Sequence, residues 1–450
     1  MRYILLLLAG IFLLVSPNVQ GQKSWTLDQC IQYAIAHNLD MKRQILQSDI
    51  NKEDLNQSKR NLLPSISLGV NTTNSYGKSL DYDTYEYTNT SQFYSSFGFS
   101  ASMDLFRGFI RQNTISYRRM AYLAGIEDEK KQKYDIAFLV MGAYYNTVYY
   151  HGLMEIVGEQ KELSKLNVER AKKQIELGLK AKSDLLEMES GLAKEELLYI
   201  QTENSYKKEL LNLRQTMNLA PGEDFNIDFE ETGSGITLVD PTTPASIFAE
   251  AQNFYPGIKA VELRKEAAQK YISIAKGALW PSLSMSGSYG SYYTKTKGNT
   301  DVESFSDQFN NNISQSFGFN LNIPVFQKFS NRSEIKQARL SYMQAEVDAE
   351  KTSQQLLNEI TQNYQDMESK SAEYNQLLKQ VDFSQLAYDV AEKKMDQGLI
   401  SVIELYTSKN EFSEAKSNLL RTKLEYIVKK KTIDYYLGKP VFGISLTNEN

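Results

Sequence analysis

The sequence has 450 residues, of which 41% are hydrophobic and 23% are charged, and a formal net charge of −5. This balance excludes bulk disorder, and the charge gives no indication of nucleic-acid binding. Cysteine occurs only as Cys30, and histidine only as His37 and His151, which excludes a disulfide framework and a cysteine-based metal cluster. Phosphate-loop, zinc-spacing and nucleophile-elbow motifs are also absent, so we predict no catalytic residue, no cofactor and no metal site.

The first residues have the pattern of an export signal. A basic residue precedes a short apolar run at residues 4–15, and the small residues Val19 and Gly21 occupy the −3 and −1 positions of a cleavage site. The run is shorter than the roughly 20 residues that a membrane-spanning helix needs. We therefore predict a signal peptide over residues 1–21. No later segment is a long apolar helix, so any insertion into a membrane must use strands.

The rest of the sequence contains two similar halves. Residues 62–67 (LLPSIS) recur as residues 279–284 (LWPSLS), and the FGF of residues 97–99 recurs at residues 317–319. Corresponding motifs stay about 220 residues apart, in the same order, which indicates a duplication. The predicted divisions are repeat 1 (22–218), an equatorial linker (219–243), repeat 2 (244–438) and a C-terminal tail (439–450).

Each half contains two segments in which apolar and polar residues alternate. Such a period of two predicts strands with one apolar and one polar face. The polar positions hold Ser, Gly and Asn, which suit a wet lumen, and the apolar positions hold Phe, Leu and Met, which suit lipid. The predicted strands span about 64–76, 93–106, 281–293 and 313–326, with tyrosine-rich loops over 71–92 and 292–312.

The strands of a soluble antiparallel sheet also alternate apolar and polar residues. Strands of this length, flanked directly by long helices, nevertheless favour the membrane interpretation. The smallest transmembrane barrels have eight strands, and an open sheet edge cannot lie in lipid. If the hairpins insert, the protein must therefore oligomerise.

Long helices are predicted after each strand pair. Proline is absent from residues 65–220 and 325–439, which permits helical hairpins over about 108–218 and 329–438. The first arm of each would reach about 100 Å. The apolar stripe of these helices is narrow, which is typical of helices packed side by side in a hollow wall.

The order helix, β-hairpin, long helix, turn and helix, present twice, resembles the TolC-type outer-membrane efflux protein family. Residues 178–185 (GLKAKSDL) and 398–405 (GLISVIEL) are similar to that family's two periplasmic tip turns, and residues 25–38 to its first mature helix. The resemblance implies a mainly α fold with membrane β-strands. Three subunits would form a twelve-stranded barrel and an α-helical periplasmic tunnel, with residues 219–243 and the C-terminal tail in a belt around the tunnel.

The same resemblance implies a function. The protein would be an outer-membrane channel subunit of a Gram-negative bacterium, a homotrimer held in outer-membrane lipid and extending into the periplasm. It would export small molecules or proteins received from a periplasmic membrane-fusion adaptor and an inner-membrane pump. The alternative is a structural or adhesive coiled-coil protein of the cell envelope, which would explain the long helices and export but not the two amphipathic hairpins.

The resemblance also assigns roles at the tip turns. Asp184 and Glu404 would form the constriction of the periplasmic gate, where rings of like charge favour cations. The second turn departs from the family pattern, because Ile400 stands where an arginine is expected. Helix capping explains the same residue types, with Asp184 as an N-cap and Ser401 with Glu404 as a capping box. The residues predicted to dock the adaptor are Gly178, Leu179, Ser183, Leu185, Gly398, Leu399, Ser401 and Leu405.

Overall fold

The computed structural model describes residues 24–80, 85–178, 181–220, 225–229, 242–297 and 301–443. The predicted signal peptide, Leu179 and parts of the predicted linker and tail lie outside these ranges. The chain forms two compact units. Unit 1 comprises residues 1–44, 129–255 and 353–450, and unit 2 comprises residues 45–128 and 256–352.

The fold is mainly helical, with four strands among the described residues. In chain order the elements are α1 (Leu27–His37), α2 (Leu39–Arg60), β1 (Ser65–Leu80), β2 (Tyr87–Arg107), α3 (Ile110–Glu176), α4 (Lys182–Thr216), α5 (Pro244–Phe254), α6 (Pro256–Gly277), β3 (Ser282–Thr296), α7 (Phe305–Asn311), β4 (Ser314–Asn322), α8 (Ser330–Asp396) and α9 (Val402–Tyr436). Within the described part of the chain, no helix combines the length and hydropathy needed to cross a bilayer.

The helices of the two halves correspond in length. The paired helices have 11 residues (α1 and α5), 22 residues (α2 and α6), 67 residues (α3 and α8) and 35 residues (α4 and α9). Both short helices begin at a threonine capping box, formed by Thr26 with Gln29 and by Thr243 with Ser246. The duplicated helical hairpins inferred from the sequence are therefore present.

Unit 2 contains one antiparallel sheet with the strand order β1-β2-β3-β4. Residues in register share a face, and the apolar positions coincide across strands, as where Leu68 lies opposite Phe99 and Phe99 opposite Tyr289. The apolar side chains of this face include Ile66, Leu68, Val70, Phe97, Phe99, Ala101, Met103, Phe106, Leu283, Met285, Tyr289, Tyr293, Phe317, Phe319 and Leu321.

The opposite, polar face is held by hydroxyl pairs between strands. The Oγ atoms of Ser65 and Ser102 are 2.9 Å apart, those of Ser67 and Ser100 are 2.7 Å apart, and a third pair, Ser288 with Ser316, is also at 2.7 Å. Their small side chains leave space beside this face.

The strand boundaries differ from the predicted ones. β1 and β2 pair from Ser65 to Leu80, so most of the segment predicted as a loop over 71–92 is strand. The period of two is hidden there because both faces are polar, with Thr72 on one face and Thr73 on the other. In the second half, β4 ends at Asn322, and the segment predicted as a loop contains the helix α7.

Aromatic side chains fill the core of unit 1. The rings of Tyr134 and Tyr435 are 4.5 Å apart, and Phe138 contacts both Tyr435 and Phe442. The two histidines serve packing: His37 stacks on Tyr33 at 4.0 Å, and His151 stacks on Phe229 at 3.7 Å.

Tyr134→Phe is expected to stabilise the protein. The Tyr134 hydroxyl is buried without a hydrogen-bond partner among the described residues, and burial raises the pKa of Tyr134 to about 12. This pKa exceeds the value of about 10 in the unfolded chain. The free energy of unfolding is therefore unaffected by this titration below pH 10, and it falls as the pH rises from 10 through 12. Removing the hydroxyl should raise the free energy of unfolding by about 1 kcal/mol at neutral pH and reduce the alkaline loss.

Thermal unfolding followed by the helical circular dichroism signal at pH 8 and pH 11 measures both effects. Tyr144→Phe is the matched control, because the Tyr144 hydroxyl donates a hydrogen bond to the main-chain oxygen of Asp228. That variant should lower the melting temperature, and equal shifts in the two variants would contradict the interpretation of Tyr134.

Candidate functional site at the helical turns

The long helices α3 and α8 both end at a glycine in the left-handed region. Gly178 and Gly398 each have a φ of +71°, which a residue with a Cβ rarely adopts. The N–H of Gly398 donates to Met395 O at 3.0 Å and that of Leu399 to Lys394 O at 2.9 Å, which satisfies two terminal carbonyls of α8. The glycines therefore end the helices and reverse the chain.

The returning helices begin with an acid in the first turn. Before α9, the Ser401 hydroxyl accepts the N–H of Glu404 and donates to its carboxylate, both at 3.3 Å. The N-cap of α4 is Ala181, without a side-chain cap, so the prediction of Asp184 as an N-cap is wrong. The helix begins earlier than predicted, and Asp184 accepts a hydrogen bond from Ser183 at 3.3 Å. Both acids lie where the helix dipole favours negative charge.

A shared core brings the two turns together. This tip cluster takes its buried residues from four helices: Val168, Ala171, Met188, Tyr388, Ala391, Met395, Val402 and Leu405. Leu185 and Ile400 pack against it, half-buried. The two turns are therefore parts of one site.

The residues predicted to dock the adaptor differ in their exposure to solvent. Leu399 is 67% exposed, and Ser183 and Ser401 are also exposed, so these side chains are available to a partner. Leu405 is only 4% exposed and lies inside the tip cluster. It supports the turn from within and cannot offer a contact surface, which corrects its predicted role.

Ion pairs that the sequence reasoning missed surround the tip cluster. Arg170 on α3 pairs with Asp396 on α8 at 3.3 Å, and Lys172 on α3 pairs with Glu189 on α4 at 3.0 Å. The first pair connects the two helical hairpins near the turns. All four side chains are at least 41% exposed, so each pair contributes little stability by itself.

A buried lysine makes a stronger connection. The side chain of Lys409 on α9 is 2% exposed. Its Nζ donates to Gln160 O at 2.8 Å and to Ser164 Oγ at 2.5 Å, both on α3, and to Glu195 Oε1 on α4 at 2.7 Å. Burial lowers the pKa of Lys409, and the hydrogen bond to Glu195 opposes this shift.

The sequence contains a signal for this lysine that our reasoning did not use. Val402, Leu405, Lys409 and Phe412 follow one another at helical spacing, so the lysine occupies a position of the apolar stripe of α9. A charged residue in such a stripe predicts a buried partner.

Metal binding finds no support at this site. Among the residues that the structure describes, no group of three or more His, Cys, Asp or Glu side chains is arranged to hold a metal ion. Cys30 is buried in α1.

Comparison with known proteins gives consistent matches over most of the chain. The family model described as "Outer membrane efflux protein" matches twice, over residues 30–219 and 249–439. Outer membrane protein TolC of Salmonella enteritidis is 22% identical over 426 residues, which cover 92% of this chain and 82% of that protein. Outer membrane efflux protein BepC of Brucella suis is 20% identical over 427 residues, which cover 94% and 88%. The crystal structure of CusC has the same fold, with a TM-score of 0.77 at 17% identity and 92% of each chain covered.

Replacing Lys409 should destabilise the tip cluster. Lys409→Met leaves the Glu195 carboxylate buried and unpaired, and we expect a loss of about 3 kcal/mol in the free energy of unfolding. Lys416→Met is the matched control, because Lys416 joins α9 to Glu159 of α3 by an exposed ion pair at 2.8 Å. The control should cost less than about 1 kcal/mol.

Chemical denaturation of the purified variants measures the two losses. Adding Glu195→Leu to Lys409→Met should recover most of the stability, because no charge then remains buried. Equal losses in the two single variants would show that the buried pair has no special role.

Proposed function

Because the chain belongs to the outer membrane efflux protein family, we propose that three copies close one twelve-stranded barrel and continue it as a helical tunnel. The protein is an outer-membrane channel subunit for efflux or secretion, located in the outer membrane of a Gram-negative bacterium and extending into the periplasm. The trimer, its partners and its gate residues are parts of the proposal.

The observation that carries the trimer is the open four-stranded sheet. Its outer strands β1 and β4 each have one edge without a strand partner among the described residues. Main-chain N–H and C=O groups cannot be left unpaired in hydrocarbon, so β4 of one copy must pair with β1 of the next. Two copies would give an eight-stranded barrel, whose interior is filled by side chains. Three copies would give twelve strands and leave room for a channel.

The two faces of the sheet fix the orientation of the strands in the barrel. The exposed Phe317, Phe319 and Leu321 would contact lipid, and the serine-paired face would line the lumen. This arrangement also argues against an envelope coiled coil, which gives no reason for a sheet with one predominantly apolar, exposed face.

The helical turns would be the docking end of the channel. Exposed apolar side chains gather there, namely Leu177, Leu399 and Ile403. Such residues on a polar surface mark an interaction site. We assign this surface to a periplasmic adaptor that joins the channel to an inner-membrane pump, with Ser183 and Ser401 as polar contacts and Gly178 and Gly398 shaping the turns.

The trimer predicts the mass of the purified complex. In mild detergent, light scattering corrected for bound detergent should give three times the single-chain mass, because only the closed trimer pairs every strand edge. A mass of one or two chains would contradict the proposal, since four or eight strands cannot enclose the tunnel.

The gate proposal predicts a change in ion selectivity. Asp184→Asn with Glu404→Gln keeps the hydrogen-bonding shape of both turns and removes their charges. In planar bilayers with a salt gradient, the reversal potential of the double variant should move toward zero, because carboxylate rings at a narrow mouth favour cations. Glu187→Gln, one turn further along α4, is the control and should leave the potential unchanged. An unchanged potential in the double variant would remove both acids from the gate.

A further inference from the structure

Helix α7 folds back onto the sheet between β3 and β4. It begins after Ser304, whose hydroxyl accepts the N–H of Asp307 at 3.2 Å. The two hairpins differ here, because β1 and β2 pair as far as Leu80 opposite Tyr87, whereas β3 and β4 stop pairing at Gly290 opposite Ser314 and are joined through α7. The duplicated fold therefore does not account for α7, and its role must follow from its own contacts.

Side-chain amides hold α7 against the edge of β3. The pairing of β3 with β4 stops where Gly290 lies opposite Ser314, so β3 continues beyond its neighbour. There the buried Gln308 takes the place of a strand: its Oε1 accepts the N–H of Thr294 at 2.9 Å, and its Nε2 donates to Thr294 O at 3.0 Å. The helix is therefore a fixed part of the sheet.

Aromatic contacts show which face α7 covers. Phe305 lies 5.9 Å from Phe97 and 5.4 Å from Tyr293, between ring centroids, and Phe309 lies 5.8 Å from Phe97. Phe97 and Tyr293 belong to the apolar face of the sheet. In addition, the Ser291 hydroxyl donates to Phe309 O at 2.6 Å, which satisfies a polar group on that face. Helix α7 thus lies on the face that would contact lipid.

The position of α7 coincides with the outer limit of the apolar face. On β2 the uninterrupted apolar run of this face extends from Phe106, opposite Leu283, to Phe97, under α7, and the next residue on the face is Ser95. At about 3.4 Å per residue the stretch is about 30 Å long, and a strand tilt of about 40° reduces its height to about 23 Å. Transmembrane barrels have an apolar band of about 25 Å. Phe97, and α7 with it, therefore lies where the hydrocarbon ends.

The exposed surface of α7 has the mixed character of a bilayer interface. Phe305 is 52% exposed and Phe309 is 37% exposed, although both rings pack on the sheet. The rest of its outer surface is polar and comprises Ser306, Asp307, Asn310 and Asn311. Aromatic rings beside polar groups are stable at the level of lipid headgroups, whereas a carboxylate in the hydrocarbon is costly.

We infer that α7 is an interfacial anchor that binds the outer leaflet of the membrane, with Phe305 and Phe309 inserted just below the lipid headgroups. The inference rests on the proposed barrel, because it takes the apolar face to be the lipid face. It adds a lipid-binding element to one hairpin of each subunit, which fixes the depth of the barrel in the bilayer.

Depth-dependent fluorescence quenching tests the anchor. The two native tryptophans are replaced by Trp25→Phe and Trp280→Phe, and Phe305→Trp supplies a single reporter on α7. The channel is reconstituted in phosphatidylcholine vesicles whose acyl chains are brominated either near the headgroup or near the chain end. We expect quenching of the Phe305→Trp reporter to be at least about twofold stronger with the shallow bromine.

Two further reporters distinguish failure of the anchor from failure of the barrel. Phe317→Trp, on the apolar face of β4, should be quenched more by the deep bromine, and Tyr292→Trp, on the polar face, by neither lipid. If the Phe317→Trp reporter is not quenched, the proposed barrel fails. If that reporter is quenched but Phe305→Trp responds only to aqueous iodide, α7 lies in water and the anchor is overturned. Shielding of Phe305→Trp from lipid and iodide alike would place it against a neighbouring subunit and also overturn the anchor.

Discussion

The whole architecture depends on one constraint: the main-chain groups at a sheet edge cannot remain unpaired in lipid. A chain with four strands leaves two such edges, at β1 and β4, and no rearrangement within a single copy removes both. Association is therefore a condition of insertion and not a later refinement. The small hydroxyl residues of the polar face fit the same constraint, because closure of the sheet in the proposed barrel would turn that face toward an enclosed, wet space.

The two halves of the chain have helices of the same lengths but differ in the residues that cap them. Each half supplies a long helix, a glycine turn and a returning helix of the same size, and the tip cluster joins the two turns into one site. Yet α4 begins at Ala181 without a side-chain cap, whereas α9 begins at a capping serine. The two turns therefore differ in their capping chemistry while they share one core.

Local patterns predicted the features that depend on local physics. The alternation around Phe97 and Phe317 predicted the strands and their faces, and the absence of proline predicted the long helices. The extension of β1 to Leu80 was missed because both faces become polar there. Helix α7 was missed because seven residues contain too few turns for a periodic signal, and because Gln308 acquires its role only from the unpaired edge of β3. The Lys409 contacts join residues more than 200 positions apart, which no local pattern specifies.

The polar face of the sheet bears on which part of the proposed channel determines the transported solute. Its charged residues on β2, Asp104 and Arg107, lie at the end of the strand next to α3, where Asp104 pairs with Arg111 at 2.8 Å and with Arg107 at 3.6 Å. From Ser102 to the far end of β2, the polar-face residues are neutral. A wide wall of small dipoles presents neither a fixed field nor an apolar surface to a passing solute. In the proposed barrel, such a wall would select solutes by size more than by charge. Under that proposal, a change of cargo in evolution would require changes at the helical turns and not in the barrel sequence.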